Sequence, residues 1–257
     1  MSETIDLDSR FLVAEKRDGV LTVRIDRPDR RNALTIEMYH GIKKACVVAE
    51  RDPDVDLLVL TGTGDYFCVG GEMGGRHEDG AKIDRFTDGL DLTPFVQLER
   101  CPKTVIMRIN GMCQGGGLVM TLMSDVSVVS DRARFRVPEL LRGVADCYLG
   151  ARLAARVGIA RAKYLLFTAQ YFSAQEALEM GLISRVVAHD RLDAALDETL
   201  AQIRATGPAA RRALKRDLNR HLPPIDLGMF QDSLSGEECR EGFQSFVEKR
   251  APRWPKI

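Results

Sequence analysis

Two short glycine clusters carry the chemistry this sequence is best equipped to do. Val69-Gly70-Gly71 follows an apolar run at 57–62, and Gly115-Gly116-Gly117 leads into another apolar run. Each offers bare backbone, so a ligand can come close to N–H groups. Two N–H donors aimed at one point make an oxyanion hole, and each donor is worth roughly 2.7–4 kcal/mol in a transition state. A helix starting inside the second cluster adds unpaired N–H groups and the positive end of its dipole. Glycines also serve tight turns and close helix packing, which explains either cluster alone; two clusters, each just after a buried strand, favour the anion site. Other reactive residue types are less suggestive. Cys68 and Cys113 flank the clusters, but no histidine lies near either in sequence to activate a thiol. The histidines at 40, 77, 189 and 221 lack metal-binding spacing. His77 belongs to a polar, glycine-rich loop, 74–80, that reads as the chain's most mobile segment.

Alternating strands and helices must position these clusters. Residues 11–15 and 20–25 flank Asp18-Gly19, a strong hairpin signal. Met38, Ile42, Ala45 and Ala49 share one face of a helix that Asp52-Pro53-Asp54 ends. Residues 57–62, 105–109 and 126–129 read as buried strands. The alternation favours an α/β fold to residue 187. From 188 to 257 the signal is helical, with stripes at Leu192, Leu196, Leu200 and Ile203 and at Phe243, Phe246 and Val247. Ser173 with Glu176, and Ser235 with Glu238, read as capping boxes, and Gly181 as a helix stop.

Composition narrows the function. The chain has 257 residues, enough for a full core. Its 37 basic and 37 acidic residues cancel, leaving no electrostatic footprint for nucleic acid or an anionic membrane. No apolar run reaches the ~18 residues of a membrane span, and the acidic N-terminus lacks a signal-peptide core. Six scattered cysteines without a Cys-x-x-Cys read as reduced thiols of a cytoplasmic protein.

Several motifs then occur in one order: Arg27-Pro28-x-x-x-Asn32-Ala33-Leu34, Phe67-Cys68-x-Gly70, Asn110-Gly111-x-x-x-Gly115-Gly116-Gly117, Val137-Pro138-Glu139 and Phe246-x-Glu248-Lys249-Arg250-x-Pro252. The ordered set resembles the crotonase superfamily of enoyl-CoA hydratases and isomerases, from residue 10 to the C-terminus. That resemblance implies a spiral of ββα units over 1–187, holding a CoA-thioester site, and a C-terminal helical region over 188–257 used in trimerisation. It implies a homotrimer or dimer of trimers. Coenzyme A would arrive as part of the thioester substrate, with no separate cofactor and no metal. The backbone N–H groups of Gly71 and Gly116 would grip the thioester oxygen, and Glu139 would be the acid/base carboxylate. Arg30, Arg31, Ala33 and Val69 would lie along coenzyme A, and Lys249 would reach a CoA phosphate of a neighbouring subunit. Basic groups suit those phosphates, although Arg30, Arg31 and Lys249 read equally well as solvated surface charge.

Two departures from the family bear on the reaction. Hydratases carry a second glutamate two residues past the glycine triplet, where this chain has Val119. Valine cannot carry a proton, and it would dry the pocket and raise the Glu139 pKa. The resemblance then implies double-bond isomerisation, which one carboxylate can perform. Past Glu139, Asp146 is a replacement acid or the N-cap of a following helix. Tyr148 either donates to a second carbonyl or packs. Glu72 reads as a structural hydrogen-bonding residue. Hydration, or C–C cleavage or hydrolysis, using Glu139 with Asp146 or Tyr148 is the alternative; a non-catalytic acyl-CoA binding protein is the third.

Overall fold

A computed structural model describes residues 2–72 and 93–256; the 74–80 loop with His77 lies outside the described residues. Eleven strands and ten α-helices are present among them. The strands are β1 (Glu3–Thr4), β2 (Leu12–Arg17), β3 (Val20–Ile25), β4 (Leu57–Gly62), β5 (Tyr66–Cys68), β6 (Thr104–Ile109), β7 (Met112–Gln114), β8 (Val126–Ser130), β9 (Arg134–Arg136), β10 (Phe172–Ser173) and β11 (Arg185–Val187). The helices are α1 (Ile36–Arg51), α2 (Phe95–Arg100), α3 (Gly116–Leu122), α4 (Cys147–Val157), α5 (Ile159–Thr168), α6 (Ala174–Glu179), α7 (Leu192–Arg204), α8 (Pro208–Arg220), α9 (Leu227–Ser235) and α10 (Glu237–Val247).

The chain enters as the expected hairpin. β2 and β3 pair antiparallel, and Asp18 and Gly19 both take left-handed φ, 49° and 75°, as a two-residue turn between twisted strands requires. From β3 onward the large sheet is parallel, in the order β3-β4-β6-β8-β11. Helices cover both its faces, which explains why β4 is apolar at nearly every position and wholly buried. Alternate residues of β4 point opposite ways. Leu58 and Leu60 join the main core with Ile42 and Ala45 of α1, while Leu57 and Val59 pack with Leu200 of α7.

A second sheet runs β10-β9-β7-β5. β4, β6 and β8 are neighbours in the first sheet, and β5, β7 and β9 in the second, all parallel. Each turn of the chain therefore adds one strand to each sheet and then a helix: β4-β5-α2, β6-β7-α3, β8-β9-α4. This is the expected spiral of ββα units. Its register brings Cys68 opposite Cys113 and Cys113 opposite Phe135.

Local signals fared unevenly. Ser173 and Glu176 form a reciprocal capping box on α6. Gly181, at φ 74°, closes the same helix: its N–H donates to Leu178 O and that of Leu182 to Ala177 O. Ser235 does not cap: it is the last residue of α9, its Oγ donates to Asp232, and Gly236 holds the start of α10. The stripe at 243–247 is also not a core face. Phe246 and Val247 are exposed, and Phe243 turns inward toward a cavity.

Candidate active site

The first glycine bend follows β5 and is held from outside. Leu34 pairs with Gly71 as a parallel bridge, donating to Gly70 O at 2.8 Å and accepting from Glu72 N at 2.9 Å. Those bonds use the groups flanking Gly71, so its own N–H lies on the opposite edge of the strand. Arg27, almost fully buried, ties this segment down: its guanidinium donates to Glu72 at 2.9 Å and to Ala33 O at 3.3 Å. Glu72 is thus the structural partner it was expected to be. Two buried amides set the bend before β5. Asn32 donates to Thr63 O and Tyr66 O, and Asn110 to Gly64 O and Tyr66 O. Sequence reading missed Arg27 as a buried anchor; its place in the quoted motif was the available signal.

The second bend needs glycine for a conformational reason. Gly115 sits at φ 55°, ψ −130°, a region closed to side chains, and Gly116 then begins α3 with its N–H unpaired by helix geometry. The two bends touch. A Cβ on Gly70 would lie 3.1 Å from the Gly116 nitrogen, and one on Gly115 would lie 3.0 Å from Glu139 Oε1. Gly71 and Gly116 follow adjacent parallel strands, which run about 4.8 Å apart. Two N–H groups at that spacing can each reach one oxygen at about 2.9 Å.

Glu139 opens a 3₁₀ turn, Glu139–Arg142, ended by Gly143 at φ 64°. Its Oε2 is sealed from water and has no hydrogen-bond partner among the described residues. Asp146 is the N-cap of α4: its Oδ1 accepts from Leu149 N at 2.8 Å. Both carboxylates line one cavity of about 80 Å³ with Val69, Gly71, Gly115 and Gly116. The remaining wall is largely apolar, from Tyr39, Phe95, Val144, Phe230, Leu234 and Phe243. Burial first, and then the charge on Asp146, pushes the Glu139 carboxyl up to about 8. Burial pushes Asp146 up to about 6, held back by the N–H groups of Leu149 and Tyr148.

Other expected residues lie elsewhere. Val119 is fully buried in the main core and is not among the residues lining the cavity, so the aromatic and aliphatic wall does the drying expected of it. Tyr148 packs, edge-on to Phe95 and Phe230 with centroids 5.1 and 6.0 Å away. The Cys68 thiol is buried, and burial pushes it up to about 12, away from nucleophile range. Arg30 and Arg31 are exposed near the mouth of the first bend, with Arg31 over the Tyr66 ring at 5.9 Å, and Ala33 is partly exposed. Lys249 is exposed just past α10, in a left-handed conformation at φ 53°. Neither the arginines nor Lys249 lines the cavity. No three-residue group able to hold a metal occurs among the described residues, and no helix among them is long and apolar enough to cross a membrane.

With this geometry established, comparison with known proteins is specific. Residues 15–256 match the family profile described as enoyl-CoA hydratase/isomerase. A short-chain-enoyl-CoA hydratase of Clostridium acetobutylicum is 32% identical over 93% of this chain and 95% of its own. A crotonyl-CoA hydratase of Syntrophomonas wolfei is 30% identical, with the same shares covered. Among solved structures, an enoyl-CoA hydratase/isomerase of Pseudoalteromonas atlantica superposes with a TM-score of 0.82 at 26% identity, covering 96% of this chain and all of that one. The chain belongs to the enoyl-CoA hydratase/isomerase family.

Proposed function

We propose that this protein shifts the double bond of an enoyl-CoA by moving a proton between carbons. The observation that carries the reading is that two bare glycine N–H groups and two partly buried carboxylates share one largely apolar cavity. The Gly71 and Gly116 N–H groups hold the thioester oxygen. Ionised Glu139 takes a proton from the α-carbon of a 3-enoyl thioester; the C–H electron pair moves into the dienolate, whose negative charge settles on that oxygen. The proton returns at the γ-carbon, giving the conjugated 2-enoyl product. Asp146 takes part by sharing the proton with Glu139. Coenzyme A runs past Val69 and Ala33 toward Arg30 and Arg31, and Lys249 meets a CoA phosphate on a neighbouring copy of a homotrimer or dimer of trimers.

Hydration is a second reading, favoured by the relatives' names and by Asp146, a second carboxylate able to share the work that Val119 cannot do. The two separate in ¹⁸O water. Incubation with 3-enoyl-CoA and 2-enoyl-CoA should yield double-bond migration without label; incorporation of ¹⁸O at the β-carbon would select hydration. Glu139→Gln should lower turnover by roughly 10²–10⁴ while thioester affinity persists. Normal turnover by that variant would remove Glu139 from both schemes.

A further inference from the structure

Among the described residues, one cation lines the cavity without an evident task. Glu139 and Arg142 stand three residues apart in a 3₁₀ turn, where side chains at i and i+3 eclipse. They therefore project to the same side, and both line the cavity. They do not satisfy each other: no ion pair joins them, and Glu139 Oε2 and Arg142 Nε are both buried without a hydrogen-bond partner among the described residues. Arg142 is nevertheless fixed in place. Its guanidinium lies over the Phe246 ring, 3.9 Å from the centroid, and its Nη1 donates to Leu141 O at 3.0 Å. The backbone beneath it is clamped as well, because a Cβ on Gly242 of α10 would fall 2.4 Å from the Arg142 carbonyl carbon.

That leaves the Nε–Nη2 edge, the edge that takes a carboxylate through two parallel hydrogen bonds. We propose that Arg142 selects acyl-CoA thioesters whose acyl chain ends in a carboxylate. This rests on the thioester reading of the cavity and adds the class of acyl group to it. Among the described residues the cavity is otherwise apolar apart from the glycine backbone, the two acids, Thr93 and the Tyr39 hydroxyl, so a guanidinium with a buried, unpaired Nε there distinguishes an acid from a methyl strongly.

The test uses saturated, unreactive thioesters, so it does not depend on turnover. Affinities of the full-length protein for glutaryl-CoA and for pentanoyl-CoA, which differ only in a terminal carboxylate against a methyl, are measured by calorimetry. The wild type should bind glutaryl-CoA about 10- to 100-fold more tightly, the range of one hydrogen-bonded charge pair. Arg142→Met should bring the ratio to one or below, and Arg142→Lys should keep part of the preference. A wild-type ratio near or below one overturns the assignment without reference to any variant, and so does a ratio that survives in Arg142→Met. Intact preference in a protein that turns over no enoyl-CoA would refute the proton-transfer scheme and leave Arg142 as the selector.

Discussion

Asp146 starts a helix and faces the reaction cavity with the same carboxyl group. The two roles can be separated, because Asn caps a helix about as well as Asp but does not titrate. Above pH 6 Asp146→Asn should therefore keep the cap and gain stability by losing the charge, and Asp146→Ala should be about 1 kcal/mol less stable than Asp146→Asn, the share of the cap. The pH profile should move in both. Charged Asp146 helps push Glu139 up to about 8. Removing that charge lowers the Glu139 pKa, so the pH at which Glu139 ionises, and at which kcat/KM rises, should shift down. An unshifted profile in Asp146→Asn would show that the two acids do not act together. Lys249 makes a smaller test. It occupies the left-handed position that ends α10, its N–H bonded to Phe246 O, and a lysine there is strained by roughly 1 kcal/mol. Lys249→Gly should raise stability by up to that amount and weaken thioester affinity; stability gained without affinity lost would return Lys249 to plain surface charge.

Among elements, the short bends matter more than the long helices. Gly115→Ala places a methyl where the backbone excludes it and 3.0 Å from Glu139 Oε1. It should cost on the order of 1–3 kcal/mol of stability and displace the carboxyl, so activity should fall further than stability alone explains. Thermal melts beside initial rates would separate the two effects. The bends also show where sequence reading succeeds. Asp18-Gly19, Ser173 with Glu176, and Gly181 were legible because each is a contract among residues a few positions apart. Ser235 with Glu238 has the same spelling but failed: Ser235 is taken up as the last residue of α9, and Gly236 starts α10 instead. Asp146 was legible as either cap or acid, and it is the cap of α4 with its carboxyl on the cavity. Arg142 was passed over because nothing in Glu139-Leu140-Leu141-Arg142 announces a 3₁₀ turn, and only that turn puts the two charges on one side. Arg27 and Phe95 were missed for a related reason: their partners, Glu72 and Tyr148, are far away in sequence.

For the molecule as a whole, the two cavity acids, Glu139 and Asp146, impose a pH dependence on folding. Both have folded-state pKa values above their ordinary ones, so the native state keeps protons that the unfolded chain releases. The stability these two acids contribute is therefore fully present below the ordinary carboxylate range and is lost as pH rises through about 6 and then about 8, the Asp146 and Glu139 values. Glu139→Gln removes most of that decline. Its stability relative to wild type should increase between pH 5 and pH 8.5 by roughly a few kcal/mol, measured by urea unfolding. A constant difference across that range would mean that Glu139 is not sealed from water as its surroundings indicate.

The spiral also acts as a ruler. Cys68, Cys113 and Phe135 stand on one line across three neighbouring strands. Three residues further along the chain, past the strand ends, come Gly71, Gly116 and Pro138. The first two carry an N–H; the third is an imino acid with none, and the next residue supplies a carboxyl in its place. The two proposed donors and the proposed proton carrier thus follow that line by three, three and four residues of chain. Deleting a single residue from any of the three stretches would leave the ladder intact while sliding one group a full step off the line. Chain length is what those stretches have to preserve, and insertions should be borne far better almost anywhere else.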